Sequence, residues 1–302
     1  MRFQFLILLA AVTSAGPLLA SDCRSCHPAQ STDKNSMFRA MEAAEQCVIL
    51  QTNPRLPFQD NSYRYLIERR GKQSIYSVSN GKESVIVPVR WALGQGSAGQ
   101  TYIFELGGDF YESRVSYFSA RKGLDLTMGA NPAIPVNITV AAGQRLSSRA
   151  ARDCIACHAT NAVRHDSLDI DGLVPGIQCA RCHETAKAHE QSVNAGPGLP
   201  LKMTHLGQLS TEEMSNFCGQ CHRTWEEIAA AGPHDIRNVR FQPYRLANSK
   251  CYNPADPRIR CTSCHDPHQE LALVPASYDG KCLACHAGQV NRAATSAKNP
   301  RS

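Results

Sequence analysis

Tyr63-Arg64-Tyr65-Leu66-Ile67-Glu68, Ser74-Ile75-Tyr76-Ser77-Val78 and Ser84-Val85-Ile86-Val87 follow one another closely. Each run is rich in β-branched and aromatic residues and partly alternates apolar with polar, as half-buried strands do. Asn80-Gly81, between the second and third runs, is a strong hairpin signal, because both residues tolerate positive φ. Tyr102-Ile103-Phe104-Glu105-Leu106, then Gly107-Gly108, then Phe110-Tyr111 through Val115-Ser116-Tyr117-Phe118 repeat the pattern. Residues 52–120 therefore read as a small antiparallel sheet. The stretch holds no His and no Cys, so it reads as scaffold or partner surface rather than as a chemical site. Helical signals frame it. Ser36–Gln46 reads as a helix before it, and Thr211–Ala231 as one after it, with Ser210 as N-cap and Glu213 three residues on.

Outside the sheet, Cys-x-x-Cys-His occurs six times: Cys23-Cys26-His27, Cys154-Cys157-His158, Cys179-Cys182-His183, Cys218-Cys221-His222, Cys261-Cys264-His265 and Cys282-Cys285-His286. This is the attachment signature of a c-type haem. The two thiols add to the porphyrin vinyl groups, and the histidine takes an axial position on the iron. Zinc ribbons and knuckles also use paired Cys, but they do not require a His after every second one. A disulfide scaffold is a short-chain solution, and 302 residues can form a true core. A thioredoxin-like pair would occur once, on a βαβ unit. The expected cofactor complement is six covalently bound haem c groups.

Spacing sets the domain organisation. From Cys23 to Cys154 is 131 residues, and the later motifs follow at intervals of 21 to 43. Five porphyrins on so little chain must themselves be most of the core. The expected fold is mainly α, with low regular-structure content, packed around haem, with a small antiparallel β insert after the first motif. The expected segments are a signal peptide (1–20), an N-terminal haem segment (21–51), the β insert (52–120), a five-haem cytochrome domain (121–287) and a disordered tail (288–302).

The N-terminus fits export. Arg2 precedes the apolar run Phe5-Leu6-Ile7-Leu8-Leu9-Ala10-Ala11-Val12, and Leu18-Leu19-Ala20 offers a small-residue cleavage site. The run is short for a bilayer span, and Gly16-Pro17 interrupts its end. A periplasmic or otherwise exported chain without stable membrane insertion is expected. The formal net charge is +6. Each ferric haem brings about −1, from one positive core and two propionates, so the oxidised holoprotein is near neutral. The basic residues then serve propionates, and nucleic acid is not an expected partner.

The chain has 11 His. Six follow the motifs, leaving His165, His189, His205, His234 and His268 as candidate distal ligands. Five cannot fill six distal positions, so at least one haem differs. His268 lies three residues after His265, and His189 six after His183. Neither can wrap round to the far face of its own porphyrin, so each must serve a neighbouring haem.

Val174-Pro175-Gly176-Ile177-Gln178-Cys179-Ala180-Arg181-Cys182-His183 with His189, and Cys261-Thr262-Ser263-Cys264-His265-Asp266-Pro267-His268, resemble segments of cytochrome c554-like multihaem proteins. Cys154-Ile155-Ala156-Cys157-His158-Ala159-Thr160 is similar to their first close-packed motif. Hydroxylamine oxidoreductase-like, octahaem tetrathionate reductase-like and pentahaem nitrite reductase-like proteins belong to the wider group. Many relatives carry Ser-x-His-x-x-x-Met after the first motif. Here Ser36-Met37-Phe38-Arg39-Ala40-Met41 puts Met37 near that His, which makes Met37 a candidate ligand for the first haem. Cys47 and Cys251 lie outside the motifs, and an exported protein could join them as a disulfide. The expected function is electron relay between redox partners, a donor and an acceptor. The alternative is a multihaem oxidoreductase acting on a small nitrogen or sulfur species at one haem without a distal His.

Overall fold

Alternation decides the centre of the molecule, and it extends further than residues 52–120. The computed structural model describes Cys23, Ser25, His27, Pro28 and residues 35–195, 205–232, 234, 238 and 241–286. The expected signal peptide and tail lie outside the described residues. Within them, nine strands form one antiparallel sheet: β1 (Met41–Ala43), β2 (Arg55–Asp60), β3 (Tyr63–Arg70), β4 (Gln73–Ser79), β5 (Ser84–Leu93), β6 (Gln100–Leu106), β7 (Asp109–Phe118), β8 (Gly123–Leu126) and β9 (Gly143–Arg145). The path runs β2 to β8 in sequence order, β1 joins β5, and β9 joins β7. The sheet curls until β2 packs beside β8, nearly closing a barrel.

Tyr63, Tyr65 and Ile67 of β3, Tyr76 and Val78 of β4, and Val85, Val87 and Val89 of β5 point inward at every second position. Each fully buried Val, Ile or Phe contributes about 1.5–3 kcal/mol. A short helix, α2 (Ile138–Ala142), packs against β4, β5 and β7 and adds Ala141 and Ala142 to that core; α1 is Val48–Thr52. Tyr76 donates its hydroxyl hydrogen to the Ala142 carbonyl at 2.8 Å and Tyr63 to the Pro135 carbonyl at 3.1 Å. Gly107 and Gly108 make the two-residue β6–β7 turn, with φ of 64° and 86°. At Asn80-Gly81 the hairpin is present but its loop is four residues long. Asn80 Oδ1 accepts from the Lys82 and Glu83 amides, and this side-chain turn widens the loop.

Three expectations are corrected. The fold is not mainly α with a small insert: among the described residues helix takes 33% and strand 28%, and the sheet holds the main core. The third and fifth motifs form helices of only four residues, because one turn suffices to present two thiols and a histidine. Ser36–Gln46 is not a helix, since Met41–Ala43 pairs with Trp91–Leu93 of β5. Thr211–Ala231 is two helices. Ser210 and Glu213 form the capping box of Thr211–His222, but Thr224 and Glu227 form a second box that starts Trp225–Ala231. Arg223 between them takes φ 52°, which breaks the helix.

Two register shifts link the sheet to the haem-motif region. Pairing slips between Val89 and Trp91 on β5 and between Thr101 and Ile103 on β6. On β5 the one extra residue reverses the facing of the side chains beyond it, so Val89 and Ala92 share a face. Ala92 and Phe104 stay in the barrel core, whereas Trp91 and Ile103 join a second cluster outside it. There they meet Ala151, Ile155 and Ala159, on or beside α3 (Ser148–His158), the helix that carries the second motif. Ile155, between the two motif cysteines, is fully buried. Ile155→Ala should cost about 2–5 kcal/mol, and Ile155→Val about 1 kcal/mol. Urea unfolding followed by circular dichroism checks this; equal midpoints for wild type and Ile155→Ala would mean the helix is not anchored there.

Candidate haem sites

Each motif works as one helical turn. The amide of His27 donates to the Cys23 carbonyl, that of His183 to Cys179, and that of His265 to Cys261, at 2.8–2.9 Å. Cysteines three apart then share one face of the turn. The third motif starts α4 (Cys179–Cys182), with α5 (Ala186–Ala195) just after it; the fourth ends α6 (Thr211–His222). After α7 (Trp225–Ala231) and α8 (Gln242–Ala247), the fifth forms α9 (Cys261–Cys264), and Cys282 to His286 is helical too. Cys26 lies outside the described residues. Among the described residues no cysteine is joined in a disulfide.

Two imidazole pairs have the spacing of axial ligands. His27 and His189 have ring centroids 6.4 Å apart, and His183 and His268 6.2 Å apart with planes 7° from parallel. Two imidazoles bound on opposite sides of one metal, with bonds of about 2.0 Å, have centroids about 6.3 Å apart. Among the described residues no third His, Cys, Asp or Glu completes a bare-ion site with either pair. The pairs thus fit a planar group that brings its own four donors. His189 stands beside His27, and His268 beside His183.

Neighbouring groups set the rings. His158 Nδ1 lies 2.9 Å from the Ala40 carbonyl, so an Nδ1–H tautomer leaves Nε2 for a metal. Asp266 Oδ1 accepts from the His268 amide at 2.9 Å and stands 3.4 Å from its Nδ1, a carboxylate beside a ligand ring. Burial, then repulsion from His268 and His27, holds His183 below the ordinary imidazole pKa. It stays neutral, the form a metal takes.

Residues 35–40 explain how the distant first motif reaches the others. Asn35 Nδ2 donates to the Pro267 and Gln269 carbonyls at 2.8 and 2.9 Å, and Ser36 bonds Glu270 through its amide and hydroxyl. The Ile177 amide donates to the Met37 carbonyl, and a Cβ on Gly176 would collide with the Phe38 carbonyl. The stretch after the first motif is therefore laced to the second, third and fifth. No sequence pattern announced this contact set.

The other candidates are scattered. His165 sits at the tip of a short hairpin with φ 48°, exposed, as are His205 and His234. Met37 is partly exposed, and the ring facing His27 is His189. The Cys47–Cys251 disulfide is absent. Cys47 lies inside the sheet core, its thiol donating to Gln100 Oε1 at 3.3 Å and pushed up to about 11 by burial, whereas Cys251 is exposed.

Protein core is scarce around the later motifs. Among the described residues beyond 162, Met214 and Ile228 are the buried large aliphatic side chains. Trp225, Leu271, Leu273 and Val274 are exposed. Among the described residues no helix is long and apolar enough to cross a membrane.

No family model matches this chain, and no curated protein matches it in sequence. A solved structure, the crystal structure of outer cell wall cytochrome OcwA, is similar at a TM-score of 0.36 and 14% identity, over 67% of this chain and 36% of that one. A likeness this faint settles neither fold nor activity.

Proposed function

We propose that this protein is an exported hexahaem c-type cytochrome that passes electrons between a donor and an acceptor protein. The observation that carries the reading is the pairing of imidazoles at axial-ligand spacing, His27 with His189 and His183 with His268, each pair including a motif histidine. The sparse protein core beside exposed Trp225, Leu271, Leu273 and Val274 supports porphyrins as the packing partner. When bound, each haem supplies a one-electron ferric/ferrous couple. The chain's own part is to hold neighbouring sites together through residues 35–40 and to fill both axial positions where it can. An iron with two protein ligands has no place for substrate, which suits relay. Membership of the cytochrome c554-like group is proposed from the motif segments of 174–189 and 261–268.

The histidine inventory favours one second reading. Five spare histidines cannot serve six irons, so one site open to a small nitrogen or sulfur species is the alternative. Reductive titration separates the two. A relay takes up six electrons per chain, returns them to an oxidised partner, and turns over no nitrite, hydroxylamine or tetrathionate. Sustained turnover of one of these would establish the enzyme reading instead.

A further inference from the structure

The turns of the middle motifs converge on one helix. The Cys157 thiol of the second motif donates to the carbonyl of Gln220, the residue before Cys221 of the fourth, at 3.6 Å. Arg181, inside the third motif, reaches Gln220 Oε1 at 3.2 Å and Cys221 Sγ at 3.7 Å. The helix that carries Cys218 also packs against α9, the turn of the fifth motif.

These meetings are built into the fold. The Thr211 hydroxyl donates to the Asp256 carbonyl at 2.8 Å, and Arg260 donates to the Leu209 carbonyl at 2.7 Å. Both tie the start of α6 to the segment leading into the fifth motif. The capping box at Ser210 and Glu213 fixes that end of the helix. At the other end Gly219 lets Thr224 close in: a Cβ there would stand 2.5 Å from the threonine methyl. The helix also packs against α3, which brings the second motif alongside.

A haem would be joined to its motif through the two thiols, so motif turns that pack together would hold neighbouring haems. We infer that the fourth motif, Cys218 to His222, is the branch point of the haem array, the one whose haem would neighbour those of the second, third and fifth motifs. The inference rests on the haem reading above and goes beyond it. Motif order along the chain suggests a line in which each haem has two neighbours. Side-chain placement gives the fourth motif three. Arg181 adds a fixed positive charge at this junction, which favours the reduced state of the haem beside it.

The test uses the fully matured chain. A cryo-electron or crystal structure should show the fourth porphyrin within van der Waals contact of three others. A fourth haem touching one neighbour would overturn the inference. In solution, sub-stoichiometric pulse reduction should give fast electron redistribution in wild type. C218S/C221S, with five haems counted, should lose that fast phase, while C282S/C285S, away from the junction, should keep it. Equal kinetics in the two variants would also overturn it. Arg181→Gln should lower one reduction potential; unchanged potentials would remove Arg181 from the junction. A chain that binds no haem at all would refute the proposed function itself, which a haem count reveals before any of these measurements.

Discussion

His268→Ala should turn one low-spin ferric haem of the oxidised protein high-spin, leaving the haem count at six. His268 has the spacing and near-parallel plane of an axial partner to His183, and Asp266 holds its ring. Removing the imidazole leaves one iron with five donors, and a weak-field water in the sixth position yields the high-spin state. His189→Ala should do the same at a different iron, the one held by His27. The double variant should convert two irons, because each pair includes a different motif histidine, and added free imidazole should restore low spin. Met37→Leu should leave the spin states as in wild type, since His189 faces His27. Electron paramagnetic resonance with spin counting reads all four. High-spin intensity that rises on Met37→Leu and stays fixed on His189→Ala would give the first haem to the thioether.

Asp60→Ala should destabilise the barrel by about 3–5 kcal/mol, the cost of stranding a buried charge. Arg114 on β7 is almost wholly buried, and its guanidinium stands 3.5 Å from Asp60 at the end of β2, across the gap where the sheet nearly closes. Its second partner is the Ala133 carbonyl at 3.1 Å. Tyr65 lies close by, its hydroxyl pushed up to about 12 by burial. Without Asp60 the guanidinium keeps one neutral acceptor in a largely dry site. The double variant Asp60→Leu/Arg114→Met should recover most of the loss, because replacing both partners with apolar groups leaves no orphan. Urea unfolding followed by the circular dichroism of the sheet measures both. A double variant as unstable as Asp60→Ala would mean the cost comes from lost packing and not from an unpaired charge.

The parts of this molecule that repeat at short range were legible in the sequence, and those that depend on distant pairing were not. The strands of residues 63–118 carry their own alternation, and the Gly107-Gly108 turn needs nothing beyond its two residues. The capping box at Ser210 and Glu213 is equally local. Met41–Ala43 became a strand because β5 offers a partner 50 residues later in the chain, which no window around Ser36–Gln46 contains. The break at Arg223 was hidden because Thr224 is an ordinary helix residue until its side chain caps the next turn. At the candidate site the motifs marked the candidate residues. They could not fix which sites are neighbours. That information lies in single contacts such as Asn35 with the Pro267 carbonyl, or Arg181 with Cys221, whose partners lie 232 and 40 residues away. The first motif looked isolated by its 131-residue separation, yet its histidine faces one that comes after the third.

The central claim is that the six Cys-x-x-Cys-His turns hold covalent haem. Intact mass of the chain, expressed in a host with c-type maturation and denatured in acid, tests it directly when read beside a pyridine haemochrome assay. Six haems retained on each polypeptide is the predicted result. A mass equal to the bare polypeptide, with no haem retained and zinc or disulfides on the motif cysteines, would contradict it.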